Sequence, residues 1–467
     1  MSRSPTERGW PALVTVIATC AGAVAGLWDL GRRSLWYDEA FTVGIVDRPM
    51  GDVLWRLTHW EVNQSPYYLL FSGWFRLGQN ESFLRLLSVA FAVAAVPAIF
   101  VLGRRIADAR VGAVAALLLA LHPLVVQWGQ QLRSYSMVVF MVIVATISLL
   151  RAVERPDDTG RSVLYGVMAA ATIYTQFFAL GVIVVHLVWV ALAKPMPRRV
   201  VIAAGAAVAV LILPLVLYLL TYEGDPLIWL AGRSDDALLA TARGLTGGRG
   251  VSVVAYGVGA VLGTWAVVRN GPGGGLGQIR ASSAWASVLP LLWLVVPVTA
   301  TVLITYTSKP LLEARFLIVV VPALTLLVAY GLCHLRWRPL ALGLMLVLVV
   351  LSFDGVRTWH RGPVLEDWRA AVPAAIASAG PDGALVLDPH LSVFAVRYYR
   401  PEGARFSLAG PDFGDGPVAP RLVEVIRIHQ EPHELQPLYY LWRDTHYVNV
   451  DTQHFAGLRV NTYEARR

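Results

Sequence analysis

Two adjacent carboxylates, Asp38 and Glu39, are the residues of this chain best suited to chemistry. They follow a charge-free apolar run, residues 10–28, which is long enough to cross a bilayer as a helix. The acidic pair is therefore expected at a membrane face, where a carboxylate can take a proton from a substrate hydroxyl. The same acids would also cap a following helix. Both interpretations stay open from this segment alone.

Three arginines complement the acids: Arg85, Arg133 and Arg315 each directly precede an apolar run. A guanidinium group can fork onto phosphate oxygens, and a departing phosphate needs positive charge more than it needs a proton. A sugar carried on a polyprenyl phosphate would present such a glycosyl phosphate at the membrane surface, with Asp38 as the base for the acceptor hydroxyl. The alternative is that each arginine anchors its helix by reaching to lipid headgroups.

A second group of polar residues suggests a cation site. His59, Glu61 and Asn63 lie at alternating positions and, with Glu39, could hold a divalent cation such as Mg²⁺, Mn²⁺ or Zn²⁺ through oxygen and imidazole ligands. Ordinary polarity at a helix end explains the same spacing.

Two further sets are candidates for binding substrate. Gln131 and Tyr135 flank Arg133 and could hydrogen-bond sugar hydroxyls, although a connecting loop would use the same residue types. Glu313 lies two residues before Arg315 and could pair with it or position it for phosphate.

Composition defines the broad class. The 467 residues are 56% hydrophobic and 15% charged, and the mean hydropathy is +0.57, which indicates a polytopic membrane protein. The net charge is +8, but the arginines are scattered between apolar runs and form no single basic face, so we expect no nucleic-acid partner. Cys20 and Cys333 both lie inside apolar runs and imply no disulfide framework.

The apolar runs predict about eleven transmembrane helices. The ambiguous segment, residues 162–193, is about 48 Å long as one helix, so we interpret it as two short helices with a turn near residues 174–176. That division places most Lys and Arg of the short loops on the side of the N-terminus, which predicts an N-terminus inside and a C-terminus outside. The first outward loop, residues 31–85, should contain short amphipathic helices at the membrane surface.

The composition changes after the last span. We expect residues 1–358 to form the transmembrane catalytic domain, including the loop 31–85, and residues 359–467 to form a small extracytoplasmic α/β domain. Within that domain the patterns predict two helices, at residues 366–378 and 391–399, and two strands, at 438–443 and 457–463. A turn at residues 380–383 leads into an apolar run at 384–387.

Six short motifs, taken in order, resemble the family 39-type glycosyltransferases of the GT-C membrane superfamily, which includes protein mannosyltransferases and lipid A aminoarabinose transferases. They are Leu35-Trp-Tyr-Asp-Glu-Ala-Phe41, Glu61-x-Asn63-x-x-x-Tyr67-Tyr-Leu-Leu70, Glu81-x-x-Leu-Arg85-Leu-Leu-Ser88, Gln131-x-Arg133-x-Tyr135, Glu313-x-Arg315-Phe and Glu366-Asp-Trp-Arg369. The resemblance implies an inverting hexosyl- or pentosyltransferase that uses a polyprenyl-phosphate sugar. It assigns Asp38 as the essential acid, Glu39 as its neighbour, and Tyr67 to the substrate site.

One motif departs from that pattern. Many relatives have an Asp-x-His-Pro-Pro-type sequence before the paired tyrosines, where this chain has Glu61-Val-Asn-Gln-Ser-Pro66. Metal dependence therefore does not carry over with the resemblance.

Two other function classes remain open. A noncatalytic transporter or flippase of lipid-linked sugars would line its pathway with intramembrane charges, whereas the acids here lie in a loop. A scaffold acting through the tail domain is a third class. The favoured prediction is a multi-pass enzyme of the plasma membrane, with its site facing outward, that transfers sugar from a polyprenyl-phosphate donor in the membrane lipid to an extracytoplasmic acceptor.

Overall fold

The computed structural model describes residues 5–192, 198–221, 236–270, 283–408, 419–428 and 437–466. The chain divides into two compact units, each built from segments that are distant in sequence. The first unit comprises Met1–Trp28, Leu54–Phe71 and Arg85–Arg361. The second comprises Asp29–Val53, Ser72–Leu84 and Gly362–Arg467.

Helices dominate the chain as far as residue 361. In chain order they are α1 (Pro5–Leu27), α2 (Tyr37–Val46), α3 (Met50–His59), α4 (Ser65–Phe75), α5 (Glu81–Ile106), α6 (Ala109–Ala120), α7 (Pro123–Gly129), α8 (Tyr135–Glu154), α9 (Thr159–Thr175), α10 (Leu180–Leu192), α11 (Arg198–Thr221), α12 (Ala237–Thr246), α13 (Gly250–Asn270), α14 (Leu289–Thr307), α15 (Val321–His334) and α16 (Arg338–Arg361). The short helices α2, α3 and α4 occupy the predicted first loop.

Seven helices in the described residues are long and apolar enough to cross a membrane, or eight if α6 and α7, bent by 58° at their junction, form one span. Two shorter apolar helices lie at Phe177–Leu192 and Ile202–Tyr218. These helices confirm a polytopic membrane protein, while eleven spans and their orientation stay predictions. The most enclosed span is Leu317–His334, 89% buried, which forms the centre of the bundle.

The overlong segment 162–193 is two helices, as predicted. Helix α9 ends at Thr175, and Gln176 has extended backbone angles, φ −163° and ψ 121°. A short 3₁₀ turn, Phe177–Ala179, then leads into α10.

Helices α13 and α15 pack at unusually close range. Gly259 and Gly263, four residues apart on α13, face Val328, Leu327 and Gly331 of α15. A Cβ atom on Gly331 would lie 2.5 Å from the backbone nitrogen of Gly263. Small residues at this spacing let two membrane helices approach until their backbones touch.

The residues after 361 fold as an α/β layer. Its elements are α17 (Trp368–Ala379), β1 (Ala384–Asp388), α18 (Val393–Tyr399), β2 (Ser407–Leu408), β3 (Arg421–Arg427), α19 (Pro437–His446), β4 (Tyr447–Phe455) and β5 (Leu458–Ala465). The sheet order is β2-β1-β3-β5-β4. Strand β1 is parallel to β2 and β3, and the pairs β3–β5 and β5–β4 are antiparallel. Helix α17 packs against β1, β3 and β5.

One predicted strand is wrong: residues 438–443 belong to helix α19. The aromatic content of this stretch favoured a strand. Its spacing is helical, however, because the rings of Tyr439 and Trp442 lie 6.3 Å apart and those of Trp442 and His446 lie 5.5 Å apart, at separations of three and four residues. Pro437 at the first helical position is also typical of a helix start.

A buried carboxylate organises the sheet. Glu424 of β3 is fully buried and accepts hydrogen bonds from Arg443 of α19 at 3.2 Å, from Asn461 Nδ2 at 2.9 Å and from the Tyr463 hydroxyl at 3.2 Å. Burial, reinforced by the nearby Glu424 charge, raises the pKa of Tyr463 to about 12, so its hydroxyl stays a donor.

Candidate active site

The acidic pair lies in the first turn of α2, where carboxylates are favoured by the helix dipole. Glu39 is fully buried, and its Oε2 accepts a hydrogen bond from the backbone amide of Trp36 at 3.3 Å. Asp38 is only partly buried, and its backbone carbonyl accepts from Thr42 Oγ1 at 2.9 Å. Of the two acids, Glu39 is therefore the one whose side chain caps α2. The catalytic role of Asp38 stays a prediction.

Tyr67, Ser88 and the Arg133 backbone form one hydrogen-bonded group in the first unit. Tyr67 of α4 is fully buried, and its hydroxyl shares a 2.7 Å hydrogen bond with Ser88 Oγ of α5. Ser88 Oγ also lies 3.4 Å from the carbonyl oxygen of Arg133. Arg85, which is 3% exposed, lies one helical turn before Ser88 on α5. Tyr67 and the Arg133 carbonyl therefore meet at Ser88, and Arg85 lies one turn away on the same helix.

Gln64 joins this group to the end of α9. It adopts a left-handed backbone conformation, φ 70°, which is uncommon outside glycine. Its amide donates to the carbonyl of Tyr174 at 2.9 Å, and its side-chain Oε1 accepts from Ser134 Oγ at 2.9 Å. The sequence gives no signal for this role, because neither the backbone strain nor the partners are local.

The motif around Arg315 lies beside the α9–α10 junction. Arg315 Nε is 3.9 Å from Glu313 Oε2, and both side chains are mostly buried. The predicted pairing of these two residues is therefore present, at the long end of an ion-pair distance. The Arg315 guanidinium also lies 5.4 Å from the ring centroid of Phe316.

A chain of contacts connects Arg315 to the segment that carries Gln64. The Phe316 ring stacks on Phe178 with centroids 4.5 Å apart. Next to Phe178, the amide of Phe177 donates to Asn63 Oδ1 at 3.3 Å. Asn63 precedes Gln64, so the bond from Phe177 and the bond from Ser134 end on neighbouring residues of the first loop.

The glutamines near Arg133 have different roles. Tyr135 is buried and lies against Trp128, with ring centroids 4.2 Å apart. Gln131 is 4% exposed, and its Oε1 has no hydrogen-bond partner among the residues that the structure describes. Gln130 instead binds the C-terminal end of α1, because its Nε2 donates to the carbonyls of Gly26 and Trp28 at 3.1 and 2.8 Å. Gln131 and Tyr135 are thus held at the Arg133 turn, and Gln130 is structural.

The metal role of His59, Glu61 and Asn63 stays a prediction. His59 is exposed, with its Nδ1 within 3.0 Å of Trp55 O on its own helix. Asn63 Oδ1 already accepts a hydrogen bond from the Phe177 amide. Glu61, which lies between His59 and Asn63 in the sequence, is partly buried. Over the described ranges, no three His, Cys, Asp or Glu side chains are grouped closely enough to hold an ion. We therefore assign no step to a metal.

The fold of this chain is similar to that of membrane glycosyltransferases of known structure. A family model for dolichyl-phosphate-mannose-protein mannosyltransferases matches residues 66–222, about one third of the chain. The resemblance seen in the sequence motifs is thereby confirmed. No curated protein sequence matches the chain.

Solved structures of three transferases share the fold. ArnT from Cupriavidus metallidurans, bound to undecaprenyl phosphate, superposes with a TM-score of 0.64 and 13% identity, over 97% of this chain and 98% of its own. The apo oligosaccharyltransferase from Archaeoglobus fulgidus gives a TM-score of 0.55 at 12% identity over 88% of this chain, which spans 65% of that protein's length. Arabinofuranosyltransferase AftD from mycobacteria gives 0.54 at 13% identity, over 99% of this chain and 42% of its own.

A complex of the archaeal enzyme carries a lipid. AglB from Archaeoglobus fulgidus with an inhibitory peptide and a dolichol-phosphate superposes with a TM-score of 0.55 at 11% identity, over 98% of this chain and 74% of its own. At these identities the likeness establishes the fold.

Proposed function

We propose that this protein is an inverting glycosyltransferase of the plasma membrane that moves a hexose or pentose from a polyprenyl phosphate to the hydroxyl of an extracytoplasmic glycan, glycolipid or protein. The observation that carries this proposal is the difference in burial between the two adjacent acids of α2, Asp38 and Glu39. Glu39 is buried and caps the helix, while Asp38, in the same first turn, is only partly buried. An acid placed this way is suited to accept a proton from an incoming hydroxyl.

The basic residues of the first unit support a phosphate-bearing donor. Ser134, next to Arg133, donates to Gln64, and Arg85 is buried one turn from Ser88. Arg315 is mostly buried beside Glu313. Guanidinium groups near a membrane face can stabilise a departing phosphate. The undecaprenyl phosphate bound to ArnT and the dolichol-phosphate bound to AglB support a polyprenyl carrier as that phosphate's source.

The reaction balances with these groups. The acceptor hydroxyl gives its proton to Asp38 as its oxygen attacks the anomeric carbon. The bond from that carbon to the phosphate oxygen breaks, and the electron pair leaves with the polyprenyl phosphate. Attack opposite the leaving group inverts the anomeric configuration. The departing phosphate needs nearby positive charge, for which Arg85, Arg133 and Arg315 of the first unit are our candidates.

Replacing Asp38 by asparagine tests the base. The full-length protein is reconstituted in liposomes with undecaprenyl-phosphate-linked radiolabelled hexoses and pentoses, and with glycans, glycolipids and hydroxyl-bearing peptides as acceptors. We expect Asp38→Asn to lower the transfer rate about 10²- to 10⁴-fold, the usual contribution of a general base.

The control is Asp47→Asn, because Asp47 is an exposed carboxylate at the opposite end of the same helix. It should leave the transfer rate and the yield of folded protein unchanged. Full activity of Asp38→Asn would refute the assignment. Translocation of the labelled lipid across acceptor-free liposomes, with no transfer in any mixture, would instead identify a flippase.

Arginine-to-lysine variants test donor binding. Lysine keeps the charge but loses the planar fork, so Arg133→Lys and Arg315→Lys should raise the KM for the lipid-linked donor about tenfold. Arg161→Lys is the control, since Arg161 pairs at the surface with Asp158 at 2.9 Å. An unchanged donor KM in both test variants would remove these arginines from the site.

A further inference from the structure

A carboxylate from the C-terminal domain binds the start of α2. Glu366 is 6% exposed, and its Oε2 accepts hydrogen bonds from the backbone amide of Tyr37 at 2.8 Å and from Trp368 Nε1 at 2.7 Å. Its other oxygen, Oε1, accepts from Arg427 at 2.8 Å. Tyr37 is the first residue of α2 and directly precedes Asp38. Glu366 thus caps a helix that begins more than three hundred residues earlier in the chain.

Arg427 completes this contact. Its guanidinium lies 4.1 Å from the ring centroid of Tyr37 while it neutralises Glu366. A cation over an aromatic face at this range is attractive. The backbone amide and the side chain of Tyr37 are therefore both held, one by the anion and the other by the cation of a single buried ion pair.

The segment before α2, residues 31–35, is also held by hydrogen bonds to residues of the second unit. The amide of Leu35 donates to the Tyr399 hydroxyl at 2.6 Å, and that hydroxyl donates to Glu81. Arg369 pairs with Glu81 and also donates to the carbonyl of Gly31 at 3.0 Å. Burial and the neighbouring Glu81 charge raise the pKa of Tyr399, so its hydroxyl remains protonated and can keep donating.

Helix α18 braces the body of α2. The rings of Phe41 and Phe394 meet edge to face with centroids 5.8 Å apart. The glycine at position 44 leaves room for the same Phe394 ring, which a Cβ there would overlap. The start, the approach and one face of α2 are thus all fixed from within the second unit.

The geometry assigns Glu366 as the positioning residue for the Asp38 carboxylate, with Arg427 as its partner. This assignment rests on the proposed function, in which Asp38 is the base. A helix whose first free amide is bound has a fixed first turn, and the direction of the residue-38 side chain follows from that turn. Loss of the contact should therefore slow the chemical step more than it weakens donor binding.

Glutamine at position 366 is a specific perturbation. The carboxylate accepts on both oxygens, from Arg427 on one side and from Tyr37 and Trp368 on the other. An amide has one acceptor oxygen, so its NH₂ group must face donors on one of those sides. Either orientation breaks part of the arrangement without changing the size of the side chain.

The experiment compares Glu366→Gln with Glu464→Gln in the full-length protein. Glu464 forms an exposed pair with Arg421 at 2.9 Å in the same sheet. Hydrogen exchange measured by mass spectrometry follows peptides that cover residues 35–46, and peptides of β5 report whether the sheet stays folded. Transfer kinetics give kcat and the donor KM separately.

We expect Glu366→Gln to raise exchange at residues 35–46 about tenfold and to lower kcat at least tenfold, with the donor KM and β5 exchange within threefold of wild type. Glu464→Gln should change none of these quantities. Arg427→Lys retains the neutralising charge and should keep kcat within about threefold, whereas Arg427→Gln should behave like Glu366→Gln. If Glu366→Gln also unfolds β5, the two Arg427 variants decide the question.

Unchanged exchange at residues 35–46 in Glu366→Gln or Arg427→Gln would overturn the assignment. Faster exchange with normal kcat would do so as well, because α2 would then move without consequence for Asp38. If the wild type transfers no sugar, the proposed glycosyltransferase function is refuted. The exchange data still show whether Glu366 stabilises the first turn of α2.

Discussion

Replacing Gly263 by alanine tests how closely helices α13 and α15 pack. The new Cβ would lie 2.8 Å from the carbonyl carbon of Leu327, whereas carbon atoms prefer about 3.5–4.0 Å. The helices would have to separate by roughly 1 Å, and no side-chain rotation relieves the overlap because the atom belongs to the backbone. Overpacking of this kind costs about 1–3 kcal/mol, and we expect the upper end of that range.

The matched control is Gly257→Ala on the same helix, where a Cβ would meet nothing within 4 Å. That change should be neutral or mildly stabilising, since alanine favours a helix over glycine. The free energy of unfolding is measured for both variants by titrating the protein in mixed micelles with a denaturing detergent. Equal stability of the two variants would refute the close approach of α13 to α15.

Three further outcomes are expected. Glu424→Gln should destabilise the C-terminal domain by about 3 kcal/mol in thermal unfolding, because it removes the buried carboxylate charge and leaves Arg443 paired only with the exposed Asp444. A loss no larger than that of Glu464→Gln would contradict this. Since the folded pKa of Tyr463 is raised to about 12, its contribution to stability should be complete below pH 10 and lost as the pH rises through 12; an ultraviolet titration in which every tyrosine ionises near pH 10 would contradict it. Gln130→Ala should lower stability by about 1–3 kcal/mol without changing the donor KM, because the carbonyls of Gly26 and Trp28 at the end of α1 lose their donor. A changed KM would indicate that Gln130 contacts the donor.

Local patterns predicted much of the fold. Hydropathy identified a polytopic membrane protein, and the length of segment 162–193 predicted the break that the structure places at Gln176. The tail was predicted as α/β, and the strand predicted at residues 457–463 is present, while the apolar run at 384–387 forms strand β1. The strand predicted at 438–443 was wrong because aromatic residues suit both strands and buried helix faces, and only the spacing distinguishes them.

Less of the candidate site could be predicted from the sequence. The sequence predicted Asp38 and Glu39 as a pair near a membrane face, but no local pattern encodes that Glu39 is the more buried of the two and bonds the Trp36 amide. The roles of Gln64 and Glu366 arise from contacts with residues far away in the chain. Polarity alone could not separate Gln130, which ends a helix, from Gln131 beside it.

The bond from Arg369 to the carbonyl of Gly31 joins positions 338 residues apart. A ribosome adding about 5–20 residues per second takes roughly 15 to 70 s to make the intervening chain. Throughout that interval the nascent acidic loop has emerged without the partners that later secure it. Chains stalled before residue 362 should therefore be cleaved by protease within residues 29–53, and completed chains should resist; equal resistance would show that the loop reaches its final state unaided.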